Sequence, residues 1–215
     1  MKVLCIDLST HMGWAVLEGH IIQGDPDPSP KLLVHGTAHI FDDKTNLVKL
    51  ANHLGYPANY RRAADIQAAN VLSLMVKHQP DAIVIEETNG GRNRYTQKLL
   101  EFLHYRVTEV IHQAPCRVVY LDSSEWRSNL GLKMTKEQKK ANAKLRKAMR
   151  EAVAKGEKVV KKKLGIKGLI NPKHVAVNHA NTTFGLTLKM KDNDAADAIC
   201  LGLAFFNNAV PCDGV

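Results

Sequence analysis

Residues 2–18 read KVLCIDLSTHMGWAVLE. The short apolar run at 2–8 ends in three polar residues at 9–11, and Gly13 then lets the chain turn back into a second apolar run. Two short apolar runs joined by a polar turn are typical of a β-hairpin. The sequence therefore predicts a hairpin that begins a sheet, with Asp7 near the end of its first strand.

Three further acidic residues stand at comparable places later in the chain. Glu86 ends the run AIVIE, which follows Gln79-Pro80 and is short and β-branched, as expected of a buried parallel strand. Asp194 and Asp197 open the run DNDAADAICLGLAFF, which predicts a helix, and residues three apart on a helix lie on one face. The fold is therefore expected to bring carboxylates from both ends of the sequence to one edge of the sheet.

Four carboxylates in one place are costly unless a cation binds them. Like charges within a few Å disfavour each other's ionised forms, and a divalent metal ion that all of them ligate relieves the repulsion. Each residue alone also has a simpler explanation: a strand-end Asp caps a loop, and Asp194 and Asp197 complement a helix dipole. The coincidence of four positions favours the metal site and, with it, metal-dependent phosphodiester chemistry.

The rest of the chain alternates strands and helices. After a proline-rich loop at 19–31, we predict a strand at 32–41, a helix at 60–78, a second helix marked by apolar residues from 99 to 111, and a strand at 117–121. Asp122 and Glu125 have capping-box spacing for a short helix that Gly131 ends, and Thr135 and Gln138 have it for a basic helix to about Ala154.

Together these elements predict an α/β fold, a mixed sheet flanked by helices, with a basic helical insertion before the last helix. A chain of 215 residues with 45% hydrophobic content is expected to form a single domain over 1–215, with the insertion at about 133–180. There is no apolar run long enough for a membrane span and no signal-peptide pattern. The 4 cysteines form no CxxC pair and are expected to be buried thiols of a cytoplasmic protein.

Positive charge is concentrated in one segment. Residues 133–167 hold 14 Lys/Arg against 3 Asp/Glu, a balance of +11, so the remainder of this +9 chain carries −2. Such a segment on an acidic body favours a polyanion partner, and nucleic acid fits both parts. The basic residues of the helix and the run after it are Lys139, Lys140, Lys144, Arg146, Lys147, Arg150 and Lys161–Lys163. They bind phosphate or form an exposed solubilising face, and the sequence does not rank them.

Four stretches match a known family in series. They are IDLSTHMGWAV, PDAIVIE, VVYLDSSEWRSNLGL and DNDAADAICLGLA, and they keep the family's order over nearly the whole chain. Each is weak alone, but the series resembles the RuvC-type Holliday-junction resolvases of the RNase H-like superfamily, especially their phage and poxvirus branch. The resemblance implies a homodimeric endonuclease, dependent on Mg²⁺ or Mn²⁺, that nicks opposing strands of a four-way DNA junction symmetrically.

The resemblance also implies roles for individual residues. The matched positions make Asp7, Glu86, Asp194 and Asp197 the catalytic, metal-binding acids of a site that holds two ions. Two ions roughly 3.5–4 Å apart could activate a water and neutralise the departing 3′ oxygen. For DNA binding near the scissile phosphate, Arg127 aligns with one basic position of the family, and Lys133 and Lys136 lie near another, with Lys139 and Lys140 beyond. Arg127 as a solvated helix residue is the alternative.

Some points depart from the family or stay open. Residues 88–91, Thr-Asn-Gly-Gly, lack the aromatic that stacks at the junction centre in some relatives, so Tyr95 could substitute. Glu87 and Asp192 adjoin or lie near the assigned acids and could share their role. The helix at about 97–113 is a plausible dimer interface.

Other functions remain in competition with junction cleavage. The chain could be a nuclease for flaps, forks or RNA–DNA hybrids, because the acids determine chemistry and not branch geometry. It could also be a non-catalytic protein that binds branched DNA. A sugar kinase or actin-type ATPase, which also starts with an Asp-x-x-Thr strand pair, needs two domains and far more residues.

Overall fold

The computed structural model describes residues 1–20, 29–40, 54–87, 94–113, 115–155 and 172–208. In chain order the elements are β1 Lys2–Asp7, β2 His11–Glu18, β3 Lys31–His39, α1 Ala58–His78, β4 Ala82–Glu86, α2 Arg94–Ile111, β5 Arg117–Leu121, α3 Ser123–Asn129, α4 Lys136–Ala154, α5 Pro172–Phe184 and α6 Asn193–Asn208. A single turn of 3₁₀-helix, Met190–Asp192, precedes α6.

The strands form one mixed sheet in the order β3-β2-β1-β4-β5. The predicted hairpin is confirmed, since β1 pairs antiparallel with β2, and β2 pairs antiparallel with β3. Strands β1, β4 and β5 run parallel. One face of the sheet packs against α1 and α2, and the other against α3, α5 and α6. The structure thus confirms a mixed sheet flanked by helices.

Strand alternation decides which way the acids point. The face beneath α6 buries Val3, Cys5, Ala82 and Val84, whereas the opposite face buries Leu4, Ile6, Ile83 and Ile85. Because successive side chains of a strand point to opposite faces, Asp7 and Glu86 continue the first set. Both carboxylates therefore lie on the side of the sheet that α6 covers.

Gly13 has a different role from the one predicted. The turn between β1 and β2 lies at residues 8–10, and Gly13 is inside β2, directly opposite Asp7. A Cβ at Gly13 would come within 1.9 Å of the backbone carbonyl oxygen of Asp194 at the start of α6. The prediction of a turn glycine is wrong, because the missing side chain serves to let α6 approach the sheet.

Most predicted elements are present, with shifted ends. Strand β5 lies at 117–121 as predicted, while α1 begins two residues earlier than predicted and α2 begins well before residue 99. Both predicted caps form: Asp122 Oδ1 accepts from the backbone N–H groups of the first turn of α3, and Thr135 with Gln138 makes a complete capping box on α4.

Helix α5 is an element that the sequence reasoning did not single out. It falls largely within the range predicted as the insertion, yet it packs on α6 and buries Ala176, Val177 and Ala180 in the core. The loop at 88–91 and the lysine run at 161–163 lie outside the described residues.

The cysteine prediction holds for two of the thiols. Cys5 and Cys200 are buried and free, and burial raises the pKa of the Cys200 thiol to about 12. Cys116 is free but only half-buried, and Cys212 lies outside the described residues. None of the helices in the described part of the chain has the length and apolar character needed to cross a membrane.

Candidate active site

Two acids stand side by side at the carboxyl ends of β1 and β4. Ile6 pairs with Ile85 in the parallel register of these strands, so Asp7 and Glu86 follow at neighbouring positions on the same edge. Both are partly buried, because α6 lies over this face of the sheet. A ligand for the two side chains therefore meets them where the parallel strands end, the usual position of functional residues in such sheets.

Helix α6 supplies the other two acids. Its first turn lies against Gly13 of β2, the strand position opposite Asp7. Asp194 is in that first turn, and Asp197 follows one turn later with only 2% of its surface exposed. Asp7 and Asp197 are 190 residues apart in the sequence, and the contact of α6 with Gly13 brings their elements together.

The pKa values show that the four acids interact. Burial raises the pKa of Asp7 well above its ordinary value, and the charges of Glu86, Asp197 and Asp194 raise it further. Burial and the charge of Asp197 raise the pKa of Glu86 to about 7. Burial is also the main reason for the raised pKa of Asp197. Burial and like charges therefore disfavour the ionised forms of these acids, a cost that a bound cation would offset.

Two basic side chains contact the acids of the cluster. Arg127 donates from Nη2 to Asp197 Oδ1 at 2.9 Å, and Lys173 donates from Nζ to Asp194 Oδ1 at 2.9 Å. Burial alone would lower the pKa of Lys173, but the hydrogen bond with Asp194 and the neighbouring acids raise it overall. The cluster is therefore four carboxylates, two of which are paired with cations.

The Arg127 side chain packs on the ring of Trp126. Its guanidinium lies 4.1 Å from the ring centre of Trp126, a fully buried side chain that anchors α3 in the core. The indole N–H of Trp126 lies near the Glu86 carboxylate and lowers its pKa, but it does not form a complete hydrogen bond with it. The Arg127 side chain is 16% exposed, so the alternative of a solvated helix residue is wrong. Its Nη1 is buried and has no hydrogen-bond partner among the described residues.

The donor set suits a hard divalent cation, because carboxylate oxygens are the preferred ligands of Mg²⁺ and a bound cation would offset the mutual repulsion. Within the described ranges, however, no group of three or more His, Cys, Asp or Glu side chains is already spaced to hold a metal ion. Two of the acids are instead paired with cations, Asp197 with Arg127 and Asp194 with Lys173. A metal ion would compete with these basic side chains for the two carboxylates.

The structure also places the residues whose role was left open. Glu87 is exposed, and the Asp192 carboxylate accepts from the backbone N–H of Lys189 at 2.9 Å, which caps the 3₁₀ turn. The predicted DNA-binding residues Lys133, Lys136, Lys139 and Lys140 are all exposed, on α4 and the connection before it. Arg127 is the one residue of that predicted set that contacts an acid of the cluster in the described structure.

Lys173 is a site residue that the sequence reasoning missed. It follows Pro172 in the first turn of α5, and proline is favoured at that first helical position. A cation in the first turn opposes the helix dipole, so Lys173 is in an unfavourable place for helix stability. A lysine directly after a helix-starting proline was therefore a usable signal of another role.

Comparison with known proteins supports the fold. No protein-family model matches the chain, and no curated protein matches its sequence significantly. Among solved structures, T. thermophilus RuvC in complex with Holliday junction substrate matches with a TM-score of 0.59 and 15% identity, over 97% of this chain and 95% of that one. The yeast mitochondrial Holliday junction resolvase Ydc2 matches with a TM-score of 0.50 and 15% identity, over 96% of this chain and 78% of that one.

These likenesses define the class of fold. The chain has the RNase H-like fold of the Holliday junction resolvases, as the sequence predicted. More particularly, its mixed five-stranded sheet with flanking helices corresponds to that of RuvC over nearly the full length of both chains. Its place in the phage and poxvirus branch stays a prediction.

Proposed function

We propose that this chain is a metal-dependent endodeoxyribonuclease that resolves four-way DNA junctions. The observation that carries the proposal is the meeting of Asp7, Glu86, Asp194 and Asp197 at one edge of a resolvase-like sheet. The raised pKa values of Asp7, Glu86 and Asp197 mark a site where negative charge is concentrated and burial is substantial, which is unusual unless function requires it.

In the proposed site the four acids hold two Mg²⁺ or Mn²⁺ ions. When bound, such ions supply an activated water and charge neutralisation for phosphodiester hydrolysis. Asp7 and Glu86 are positioned by two paired strands and provide the rigid half of the site. Asp194 and Asp197 come from α6 and complete it once they leave their present basic partners.

Arg127 and Lys173 would have a second role in this site. If the carboxylates ligated the ions, these two basic side chains would be available to contact a phosphate bound beside them. The buried Arg127 Nη1, which has no partner among the described residues, would find one in a phosphate oxygen. Fixed cations at this position stabilise the negative charge that develops during phosphoryl transfer.

A dimer is part of the proposal, because a four-way junction offers two equivalent strands and a two-fold protein matches them. Helix α2 remains the proposed interface. Its outer surface carries exposed Tyr95 and Tyr105, and Phe102 packs edge-on against Tyr56 and Tyr60 at the start of α1. Sedimentation equilibrium should give twice the monomer mass, and a purely monomeric protein that still makes paired nicks would contradict this arrangement.

The test of function is cleavage of synthetic DNA. End-labelled four-way junctions, flaps, forks and duplexes of related sequence are incubated with the protein, with Mg²⁺ or with chelator. We expect paired symmetric nicks of the junction that require Mg²⁺, and none from the Asp194→Asn variant. Asp192→Asn is the matched control, since Asn also caps a turn and Asp192 has its own backbone partner.

The outcomes separate the competing functions. Equal cutting of simple forks and flaps would favour a broader branched-DNA nuclease. Tight binding of junctions without any metal-dependent cutting would favour a binding protein. Equal loss of activity in Asp192→Asn and Asp194→Asn would show that the assignment of the acids on α6 is wrong.

A further inference from the structure

Helix α4 carries a basic face that the candidate active site does not use. At 3.6 residues per turn, Lys136, Lys140, Lys144 and Lys147 fall within about 80° of one another around the helix axis. All four are exposed, and we call them the basic face of α4. The helix as a whole has seven Lys/Arg and two Glu, a net charge of +5.

The basic face points away from the body of the protein. Buried Asn142 and half-buried Leu145 lie on the opposite side of the helix, and Asn142 donates to the Met134 sulfur at 3.5 Å. These residues turn the other side of α4 towards the chain. Within the described structure these four charges are therefore exposed to solvent.

Little within the described structure neutralises these charges. Lys147 lies 3.9 Å from Glu151, and both side chains are largely exposed, so the pair is weak. The remaining cations of α4 form no ion pair with the described residues. Several of them are like-charged neighbours three or four residues apart, such as Lys136 with Lys140, and such pairs destabilise a helix.

The position of α4 in the fold points to the partner. Leu132, just before α4, is buried in the core beside α3, and its N–H donates to the carbonyl oxygen of Arg127 at 2.7 Å. The start of α4 is thus tied to the short helix that places Arg127 against Asp197. The 19 residues of the helix reach about 28 Å from there, and duplex DNA carries one phosphate charge per about 1.7 Å of its axis.

We infer that the basic face of α4 binds the phosphate backbone of a duplex arm and supplies affinity, separately from the acids that perform cleavage. The inference rests on the proposed function insofar as it takes DNA as the substrate. The occupant is a polyanion with regularly spaced charges, and such contacts carry no sequence information. Arm binding then positions the DNA along α4 with the branch towards Arg127.

The test is the salt dependence of DNA binding without metal. Fluorescence anisotropy with chelator present gives the dissociation constant for a duplex and a four-way junction between about 50 and 200 mM salt. The test protein is Lys140→Gln/Lys144→Gln, in which glutamine keeps helix propensity close to that of lysine. The matched control is Lys31→Gln/Lys77→Gln, which removes two exposed lysines at the opposite end of the sheet from Asp7.

We plot the logarithm of the association constant against the logarithm of the salt concentration. The steepness of this plot should be smaller by about 1.8 for the α4 variant, since each lost phosphate contact reduces it by about 0.9. The loss should be the same for duplex and junction, and the control should keep the wild-type slope. Equal slopes in all three proteins, or an equal loss in the control, would overturn the inference. Unchanged DNA binding together with lost sedimentation with phosphatidylserine vesicles would also overturn it, in favour of a membrane surface.

Cleavage under saturating protein separates this inference from the proposed function. If the wild type cuts junctions, the α4 variant should need a higher protein concentration to reach half of its maximal rate, because it has lost phosphate contacts while its acids are intact. If the α4 variant had a lower saturated cleavage rate as well as weaker DNA binding, the inference that the basic face supplies affinity separately from cleavage would be contradicted. If the wild type cuts nothing while the slope still falls in the α4 variant, the proposed nuclease is wrong and the binding surface stands.

Discussion

Replacing Glu86 with glutamine tests the electrostatics of the acidic cluster in the absence of metal. The pKa of Glu86 is raised from an ordinary 4.5 to about 7, first by burial and then by the charge of Asp197. The folded protein therefore holds the Glu86 proton at pH values where the unfolded chain has released it. Stability from this group is complete below pH 4.5 and is lost as the pH rises towards 7.

The size of the effect follows from the two pKa values. Linkage gives a loss of about 2.5 kcal/mol in the free energy of unfolding between pH 5 and pH 8 from Glu86. Because the side chain keeps some contact with water, screening reduces this figure to about 2 kcal/mol. The Glu86→Gln variant has no proton to lose there, so its stability should exceed that of the wild type by a margin that grows by this amount between the two pH values.

Urea unfolding with chelator at both pH values measures the margin. Glu87→Gln is the matched control, since Glu87 is adjacent to Glu86 in the chain but exposed. Adding Mg²⁺ at pH 8 should stabilise the wild type and not the Glu86→Gln variant. A constant difference between wild type and Glu86→Gln at pH 5 and pH 8 would refute the claim that this carboxyl is buried among like charges.

Three further substitutions test the packing and the cations of the site. Gly13→Ala should destabilise the protein by about 3 kcal/mol in urea unfolding, because its Cβ would overlap the backbone of α6. The control Gly55→Ala meets open space and should change stability by under about 1 kcal/mol. Equal effects of the two substitutions would contradict the close approach of α6 to Gly13. Arg127→Leu should lower the free energy of unfolding of the metal-free protein by about 3 kcal/mol, because Asp197 stays buried without its partner. This loss should be smaller in a protein that already carries Asp197→Asn. Additive losses from the two substitutions would show that the two side chains are not coupled. Lys173→Gln should slow single-turnover junction cleavage by about 10²-fold while keeping DNA affinity within a few-fold; an unchanged rate would remove Lys173 from the site.

Much of the fold and the acid positions could be predicted because they depend on local patterns. Alternation in VLCID and AIVIE determines which residues of each strand share a face and puts Asp7 and Glu86 at the strand ends, and the parallel pairing of β1 with β4 brings them together. Helical spacing does the same for Asp194 and Asp197. These regularities belong to the backbone geometry of each element, so they need no knowledge of the tertiary structure.

The parts that the sequence did not reveal depend on contacts between elements. Gly13 was interpreted as a turn residue because glycine often is, while its actual role is set by a helix that starts at residue 193. Helix α5 buries small residues such as Ala176 and Ala180, which give a weak apolar signal in a sequence. The pairing of Lys173 with Asp194 depends on how α5 packs against α6, which local patterns do not specify.

Anomalous diffraction from crystals grown with Mn²⁺ would locate the metal ions themselves. We expect Mn²⁺ peaks bounded by Asp7, Glu86, Asp194 and Asp197, two of them about 3.5–4 Å apart when DNA is bound. We also expect Asp197 to have turned from Arg127 to the metal. Crystals that show no peak at this sheet edge, with the Asp197–Arg127 contact intact at saturating Mn²⁺, would contradict a metal site formed by these four acids.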